Sequence, residues 1–462
     1  MVTIADLLGV SRDEMMPQVS AREQQLARFN GAGFWVVTGF NRFLSLMFSI
    51  GIVLGIIRLI FLGTLATAQW AYTRFKRHKE ALVDFSPSVA VVIPAYNEGI
   101  VVVRTVQAIL DSTYSDVTVV VVDDGSTDDT FIRLYEVFEH HPRVKLFTQS
   151  NSGKAQALNF GISHTDEHKE IIITLDADTL FQKDTISKLI RRFVDTRITA
   201  VAGNAKVGNR VNILTRWQAL EYITSQNFDR RAFEMMNCVT VVPGAVGAWR
   251  RSAIVETGGF SSDTLAEDAD LTFTLLRSGY RVAYDDEAFA FTEAPDTVHN
   301  FIKQRFRWMF GTLQTAWKHR DTLFRPRYGS LGFFAVPNVF VFQVFFPLIS
   351  PFMDLALIFS LLWVGWQKYQ HPIDFDAPHT LQGILFFYVL FLAIDMLTAL
   401  VPFFLERKEQ WSLLWWMPLQ RFFYRQLMYY VAIKVVFAAI KGKLARWGTL
   451  ERHGTVTLSR KK

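Results

Sequence analysis

Carboxylates placed next to apolar runs dominate the chemistry that this 462-residue sequence offers. Asp123-Asp124-Gly125 follows Val117–Val122, Asp176-Ala177-Asp178 follows Ile171–Leu175, and Glu267-Asp268 lies upstream of Gln304-Arg-Phe-Arg307-Trp308. In an extended segment residues i and i+2 share a face, so Asp176 and Asp178 are able to converge on one hard cation. Mg²⁺ and Mn²⁺ take oxygen ligands and commonly bridge one or two carboxylates to substrate phosphates. A helix-capping Asp beside a solvated one is the plainer alternative. With Asp268 free to act as a separate base, the set points to a sugar-nucleotide enzyme.

Other segments add weaker signals. Val91-Val-Ile-Pro94-Ala-Tyr96-Asn97-Glu98 reads as a strand ending at a proline, where a turn, a ring and a carboxylate suit a nucleoside. An ordinary strand-to-helix turn explains it equally well. Two adjacent acids at 123–124 have no structural need there, because unpartnered buried carboxylates are costly. One is able to accept from a uracil N–H while Ser126 or Thr127 caps the next helix. Ser152-Gly153-Lys154-Ala155 offers an ammonium to a diphosphate, without P-loop spacing; a solvated lysine is the alternative. Pro243-Gly244-Ala-Val-Gly247 is a turn that lets a sugar approach backbone closely. Glu267, Asp268 and Asp270 start a predicted helix, where its dipole alone favours acids. Gln304, Arg307 and Trp308 share one helical face. They offer an amide for hydroxyls, a guanidinium for phosphate and an indole for a sugar ring, and an amphipathic interface helix is the alternative.

These residues need a sheet to position them. Strands are expected at 88–94, 117–122, 143–148, 170–175 and 198–203, alternating with amphipathic stretches such as 126–139 and 180–195. That alternation predicts βαβ units, a largely parallel sheet and an α/β domain over 86–325. Ligands of such sheets sit past the carboxyl ends of the strands.

The rest of the chain is apolar. Half of all residues are hydrophobic, with 41 Phe and 12 Trp. The single cysteine, Cys238, excludes a disulfide framework and a CxxC zinc pattern. The net charge of +6 reads as cytoplasmic loops beside anionic lipid, and the basic residues form no separate patch for nucleic acid. A polar segment, 1–33, lacks a signal-peptide pattern. Residues 34–72 follow as one long transmembrane helix or a hairpin of two, and the basic run at 74–79 assigns the next domain to the cytoplasm. Residues 331–441 hold interfacial and transmembrane helices, with an external loop at 366–380, and 442–462 form a basic cytoplasmic tail. Three to five spans are expected. Arg58, Asp354 and Asp395, ionisable within apolar stretches, either line a watery path or pair near helix ends.

Taken as a set, the D,D,D,Q-x-x-R-W motifs resemble the processive family-2 glycosyltransferases: the poly-β-1,6-N-acetylglucosamine, chitin, hyaluronan and cellulose synthases. The resemblance covers about 86–325 and extends less specifically to the flanking spans. It implies a GT-A (Rossmann-like) domain inserted between N- and C-terminal transmembrane helices of a multi-pass inner (plasma) membrane protein. The implied activity is inverting, processive transfer from a UDP-sugar, above all UDP-N-acetylglucosamine, into a β-linked biofilm exopolysaccharide coupled to its export. Chitin-oligosaccharide, hyaluronan or cellulose synthesis is the near alternative; a non-processive lipid-linked transferase or an inactive transport subunit is further off. By resemblance Asp268 would be the general base. Pro94, Tyr96, Glu98, Asp124, Lys154, Asp176 and Gly244 would bind the nucleotide sugar, and Asp176 and Asp178 would hold Mg²⁺ or Mn²⁺. Glu267, Gln304, Arg307 and Trp308 would bind the growing polysaccharide. Membrane lipid and a small accessory membrane subunit are the implied partners. The sequence departs from the family at Ala266-Glu267-Asp268, where many members have Thr-Glu-Asp, and an appended cyclic-dinucleotide sensor is not expected.

Overall fold

The computed structural model describes residues 20–80, 83, 85–370, 379–406, 408–442 and 452–456. Residues 1–19, the middle of the expected external loop and most of the basic tail therefore lie outside the described residues. The chain divides into two units: residues 1–54 with 352–392, and residues 55–351 with 393–462.

The second unit is built on an eight-stranded sheet. Its strands are β1 (Val89–Ala95), β2 (Val117–Asp123), β3 (Val144–Thr148), β4 (Ile171–Thr174), β5 (Thr179–Phe181), β6 (Ile198–Val207), β7 (Gly247–Arg250) and β8 (Arg281–Thr292), in the spatial order β3-β2-β1-β4-β7-β6-β8-β5. β3, β2, β1 and β4 are mutually parallel, whereas β7 runs antiparallel to both β4 and β6. The parallel half matches the expected strands to within a residue or so. Sequence reading missed β5, β7 and β8, so the sheet is mixed rather than largely parallel.

The β-branched runs are apolar on both sides because both faces of the sheet are covered. In β1, Val89, Val91 and Ile93 enter one core cluster with helices α1 (Val102–Leu110) and α2 (Thr130–Phe138). Ala90 and Val92 enter the opposite cluster with α3 (Lys154–Ser163). Full burial of each such side chain contributes about 1.5–3 kcal/mol. α4 (Thr185–Arg191) is shorter than expected, because Thr179–Phe181 is taken by β5. Next come α5 (Ile213–Glu221) and α6 (Phe228–Met235), joined by a π-helical turn over Tyr222–Asn227, then α7 (Glu267–Arg277) and α8 (Val298–Lys318).

One helix runs from Ala21 to Glu80, which decides the open choice at 34–72 in favour of a single long helix rather than a hairpin. Among the described residues three helices are long and apolar enough to cross a membrane: Ala21–Lys76, Leu331–Gln370 and Tyr388–Leu405. A fourth crossing is available if Trp411–Phe422 and Tyr424–Ile440, bent by 51°, count as one. Within the first unit, Phe29 meets Trp363 and Phe40 meets Phe359 at ring distances of 5.9 and 6.3 Å. Arg58 pairs with Asp229 at 2.8 Å and Asp395 with Arg425 at 2.5 Å. Both residues are thus paired, as the pairing alternative expects.

Candidate active site

β1, β2 and β4 end on one edge of the sheet, with β1 and β4 on either side of the point where the chain order reverses. That is the place where open α/β sheets bind ligands. Asp124 follows β2 and is buried, with both oxygens engaged: Oδ1 accepts from Gln149 Nε2 at 2.7 Å and Ser152 N at 2.9 Å, and Oδ2 from Gly153 N at 2.8 Å. The adjacent Gly125, at φ +72°, leaves no room for a Cβ, which would meet Asn151 N at 2.8 Å. Asp124 thus fixes the loop that delivers Lys154 at the start of α3. The expected cap by Ser126 or Thr127 is not formed: Ser126 Oγ accepts from Asn97 N, and it is Asp128 Oδ1 that accepts from Thr130 N at the head of α2.

Lys154 is the hub. Its Nζ lies 2.7 Å from Asp176 and 2.9 Å from Glu267. Burial opposes its charge, but Asp176, Glu267 and Asp268 outweigh that and hold its pKa above the ordinary lysine value. Gly244 closes this cluster from the turn before β7. A Cβ there would come within 2.6 Å of Lys154 Nζ and 3.3 Å of Asp176 Oδ1, so the missing side chain leaves room for the ammonium. Burial raises Asp176, yet Lys154, Arg307 and Arg452 bring it below the usual carboxylate range. Glu267, expected beside the acceptor, instead faces Lys154.

Asp268 sits in the first turn of α7. Its Oδ2 accepts from Gly244 N at 2.9 Å and its Oδ1 from Ala269 N at 2.8 Å. Burial, then the neighbouring Glu267, push its pKa up to about 6, against the pull of Lys154 and the two N–H groups. A carboxylate so tuned is ionised near neutrality and still a better proton acceptor than an exposed one. α8 packs tightly against the preceding loop: a Cβ on Gly311 would meet Ala266 N at 2.7 Å, and Gln314 Oε1 accepts from Leu265 N at 3.0 Å. α8 therefore links Asp268 to Gln304, Arg307 and Trp308. Gln304 is buried and its Oε1 has no partner among the described residues.

Asp178 is enclosed more deeply than Asp176. It accepts from Thr179 Oγ1 at 2.9 Å and meets the Arg452 guanidinium at 2.6 Å. Burial raises its pKa, with Arg452 working the other way. Glu98, at 3.8 Å from Arg452, is pushed up to about 8 by burial, with Asp178 and Asp176 adding to the effect. Arg452 belongs to the segment expected to be a basic cytoplasmic tail. Residues 452–456 instead dock on the sheet, where Glu293 accepts from His453 N and Gly454 N, Arg104 donates to Gly454 O and Val456 O, and Val456 is buried. No motif spacing announced this. Arg305, also passed over, pairs with Glu221 at 2.7 Å and lies 4.4 Å from the centre of the Trp308 ring, holding the indole.

Asp176 and Asp178 offer the oxygen donors that a divalent cation takes, but among the described residues no group of three or more His, Cys, Asp or Glu is arranged to hold a metal. The pair fits such an ion as a partial set completed by substrate oxygens.

A mixed α/β sheet with acids at its switch point and a further carboxylate on a following helix has the layout of a GT-A glycosyltransferase fold. Residues 87–311 match the family described as "Glycosyltransferase like family 2". A solved mannosyltransferase from Pyrobaculum calidifontis, in complex with GDP-Man and Mn²⁺, shares the fold at a TM-score of 0.51 and 20% identity, over 84% of this chain and 99% of that one. The poly-β-1,6-N-acetyl-D-glucosamine synthase of Staphylococcus aureus strain COL is 30% identical over 230 residues, 50% of this chain and 55% of that protein. The protein of the same name from Staphylococcus epidermidis is 25% identical over 297 residues, 64% and 72% of the two chains. The chain thus spans about half the length of the S. aureus relative.

Proposed function

We propose that this protein is an inverting, processive hexosyltransferase that polymerises UDP-N-acetylglucosamine into a β-linked exopolysaccharide and passes it across the plasma membrane. The observation that carries the reading is Asp268: a half-buried carboxylate, held by the Gly244 N–H and tuned to about 6, in the same cluster as Lys154 and Asp176. The choice of sugar and polymer is supported by the names of the staphylococcal relatives. The domain would lie on the cytoplasmic face, where UDP-sugars are made, with the apolar helices as a multi-pass anchor.

In this reading the donor diphosphate lies against Lys154 and Arg307, with Asp124 toward the uracil and Pro94, Tyr96 and Glu98 beside the nucleoside. Asp176 and Asp178 would hold Mg²⁺ or Mn²⁺, which when bound neutralises charge on the departing UDP. Asp268 takes the proton from the acceptor hydroxyl as the oxygen attacks the anomeric carbon, and the UDP bond breaks on the opposite face. One displacement without a covalent intermediate turns an α-linked donor into a β-linked product. Trp308 and Gln304 hold the acceptor chain by stacking and hydrogen bonding.

The test is incubation of the purified full-length protein with each UDP-sugar in Mg²⁺ or Mn²⁺, followed by sizing and linkage analysis. Long β-linked polymer from UDP-N-acetylglucosamine alone is expected. Polymer from UDP-glucose or only with added UDP-glucuronate would reassign the sugar, and a single transfer to lipid would end the processive reading.

A further inference from the structure

Adjacent arginines on α6 have opposite surroundings. Arg231 pairs with Asp286 at 2.8 Å and donates to Gln69 Oε1 at 3.0 Å. Arg230 is 5% exposed, yet no carboxylate lies within ion-pair distance of it among the described residues. Its Nη1 donates to Asn227 Oδ1 at 3.2 Å, and its Nε, sealed from solvent, has no acceptor. Burial lowers its pKa, and Tyr284, Tyr222, Asp268 and Asp229 pull against that without cancelling it. Leaving a guanidinium dry and short of acceptors is costly, and such a cost persists where a ligand supplies the missing partner.

The neighbourhood indicates which ligand. α6 is preceded by the π-helical turn over Tyr222–Asn227, a distortion that recurs at functional sites. The Tyr222 ring lies 6.3 Å from the Trp308 ring and within cation–π distance, 6.0 Å, of the Arg305 guanidinium. Gln304 Oε1 is a second buried polar atom without a partner. Asp268 and Tyr222, which adjoins Trp308, are among the groups whose charge acts on Arg230. A neutral oxygen, from a sugar hydroxyl or an acyl amide, satisfies an orphan guanidinium N–H without bringing a charge next to the base.

We propose that Arg230 forms part of a sugar subsite at the acceptor end, the guanidinium donating to hydroxyl or acyl oxygens of the residue whose hydroxyl Asp268 deprotonates, with the buried Tyr222 ring packed toward Trp308 rather than touching the sugar. This rests on the transferase reading above.

The test uses full-length protein, UDP-N-acetylglucosamine as donor and a β-linked N-acetylglucosamine oligosaccharide as acceptor. R230M, which keeps bulk and removes every donor, is expected to raise the acceptor KM about tenfold, the worth of one lost hydrogen bond to a charged group, while UDP affinity by calorimetry stays within about twofold. R230K should recover part of the loss. An unchanged acceptor KM in R230M overturns the subsite, as does a parallel fall in UDP and acceptor affinity. Should R230M fail to fold, R230K and R230Q carry the test, and unchanged acceptor KM in both overturns it. If the wild type transfers no sugar while its oligosaccharide binding by calorimetry weakens in R230M, the subsite stands and the transferase reading fails.

Discussion

The donor end and the acceptor end of this site are finished differently. At the donor end three carboxylates have a cation within reach: Asp176 and Glu267 share Lys154, and Asp178 faces Arg452. At the acceptor end Arg230 has no carboxylate within ion-pair distance among the described residues, and its Nε and Gln304 Oε1 lack hydrogen-bond partners there, as Glu98 Oε2 and Arg452 Nε do at the donor end. Charges cannot wait unpaired in a dry site, because the penalty for an isolated ion is several kcal/mol or more. A neutral amide oxygen costs less to leave open, and the unpaired Arg230 guanidinium is the costly exception that a ligand oxygen would relieve. The contrast fits a charged diphosphate that exchanges with internal ion pairs and a neutral sugar that fills vacancies.

The sharpest way to break this comparison is at its border, Asp268. D268N keeps shape and hydrogen bonding but loses the basic carboxylate. Transfer should fall by roughly 10²–10⁴ with UDP binding retained, measured as turnover beside calorimetry. Near-normal polymerisation would move the base to Glu267 or Asp270. Within the donor end, D178N should lower turnover by roughly 10², comparable to losing one electrostatic group at a reacting centre, and weaken the dependence on Mn²⁺. Full activity in excess EDTA would remove the cation from the site.

How far this was legible in the sequence follows the same border. Val91–Ile93, Val119–Val122 and Ile171–Ile173 are uninterrupted β-branched runs, so the strand ends carrying Asp124, Asp176 and Asp178 could be read directly. β7 is four residues, Gly247–Arg250, too short to show a period. β8 carries Asp285, Asp286 and Glu287 in mid-strand, acids that look like a loop until Arg191 and Arg231 are brought against them. Tyr222 and Arg230 owe their placement to a π-helical turn that has no sequence signature. Arg452 read as tail charge because its partners, Asp178 and Glu98, are distant in the chain and only docking of 452–456 joins them.

The pH dependence sharpens the comparison at intermediate size. Asp268 must be ionised to accept a proton, and its pKa is raised to about 6 by burial and Glu267. Activity should therefore be flat above about pH 7 and fall about tenfold per unit below 6 as the carboxyl protonates. Glu267→Gln removes the like charge and should shift that acid limb to lower pH. A limb unmoved in E267Q and unrelated to Asp268 would show that another group limits the rate.

The smallest effect is expected from Arg452→Ala. If the donor end is closed by internal pairing, the guanidinium on Asp178 and a divalent cation compete for the same carboxylate. Removing the guanidinium should then tighten Mn²⁺ binding by roughly fivefold, the low end for two binding events coupled through one group, read by calorimetry without donor. Glu98 loses the same cation, so its pKa should rise further from about 8, and the carboxyl stays protonated at neutral pH without adding charge to the site. Weaker Mn²⁺ binding in R452A would mean that Arg452 orders Asp178 for the metal instead of competing with it, and pairing at the donor end would then be preorganisation rather than substitution for the ligand.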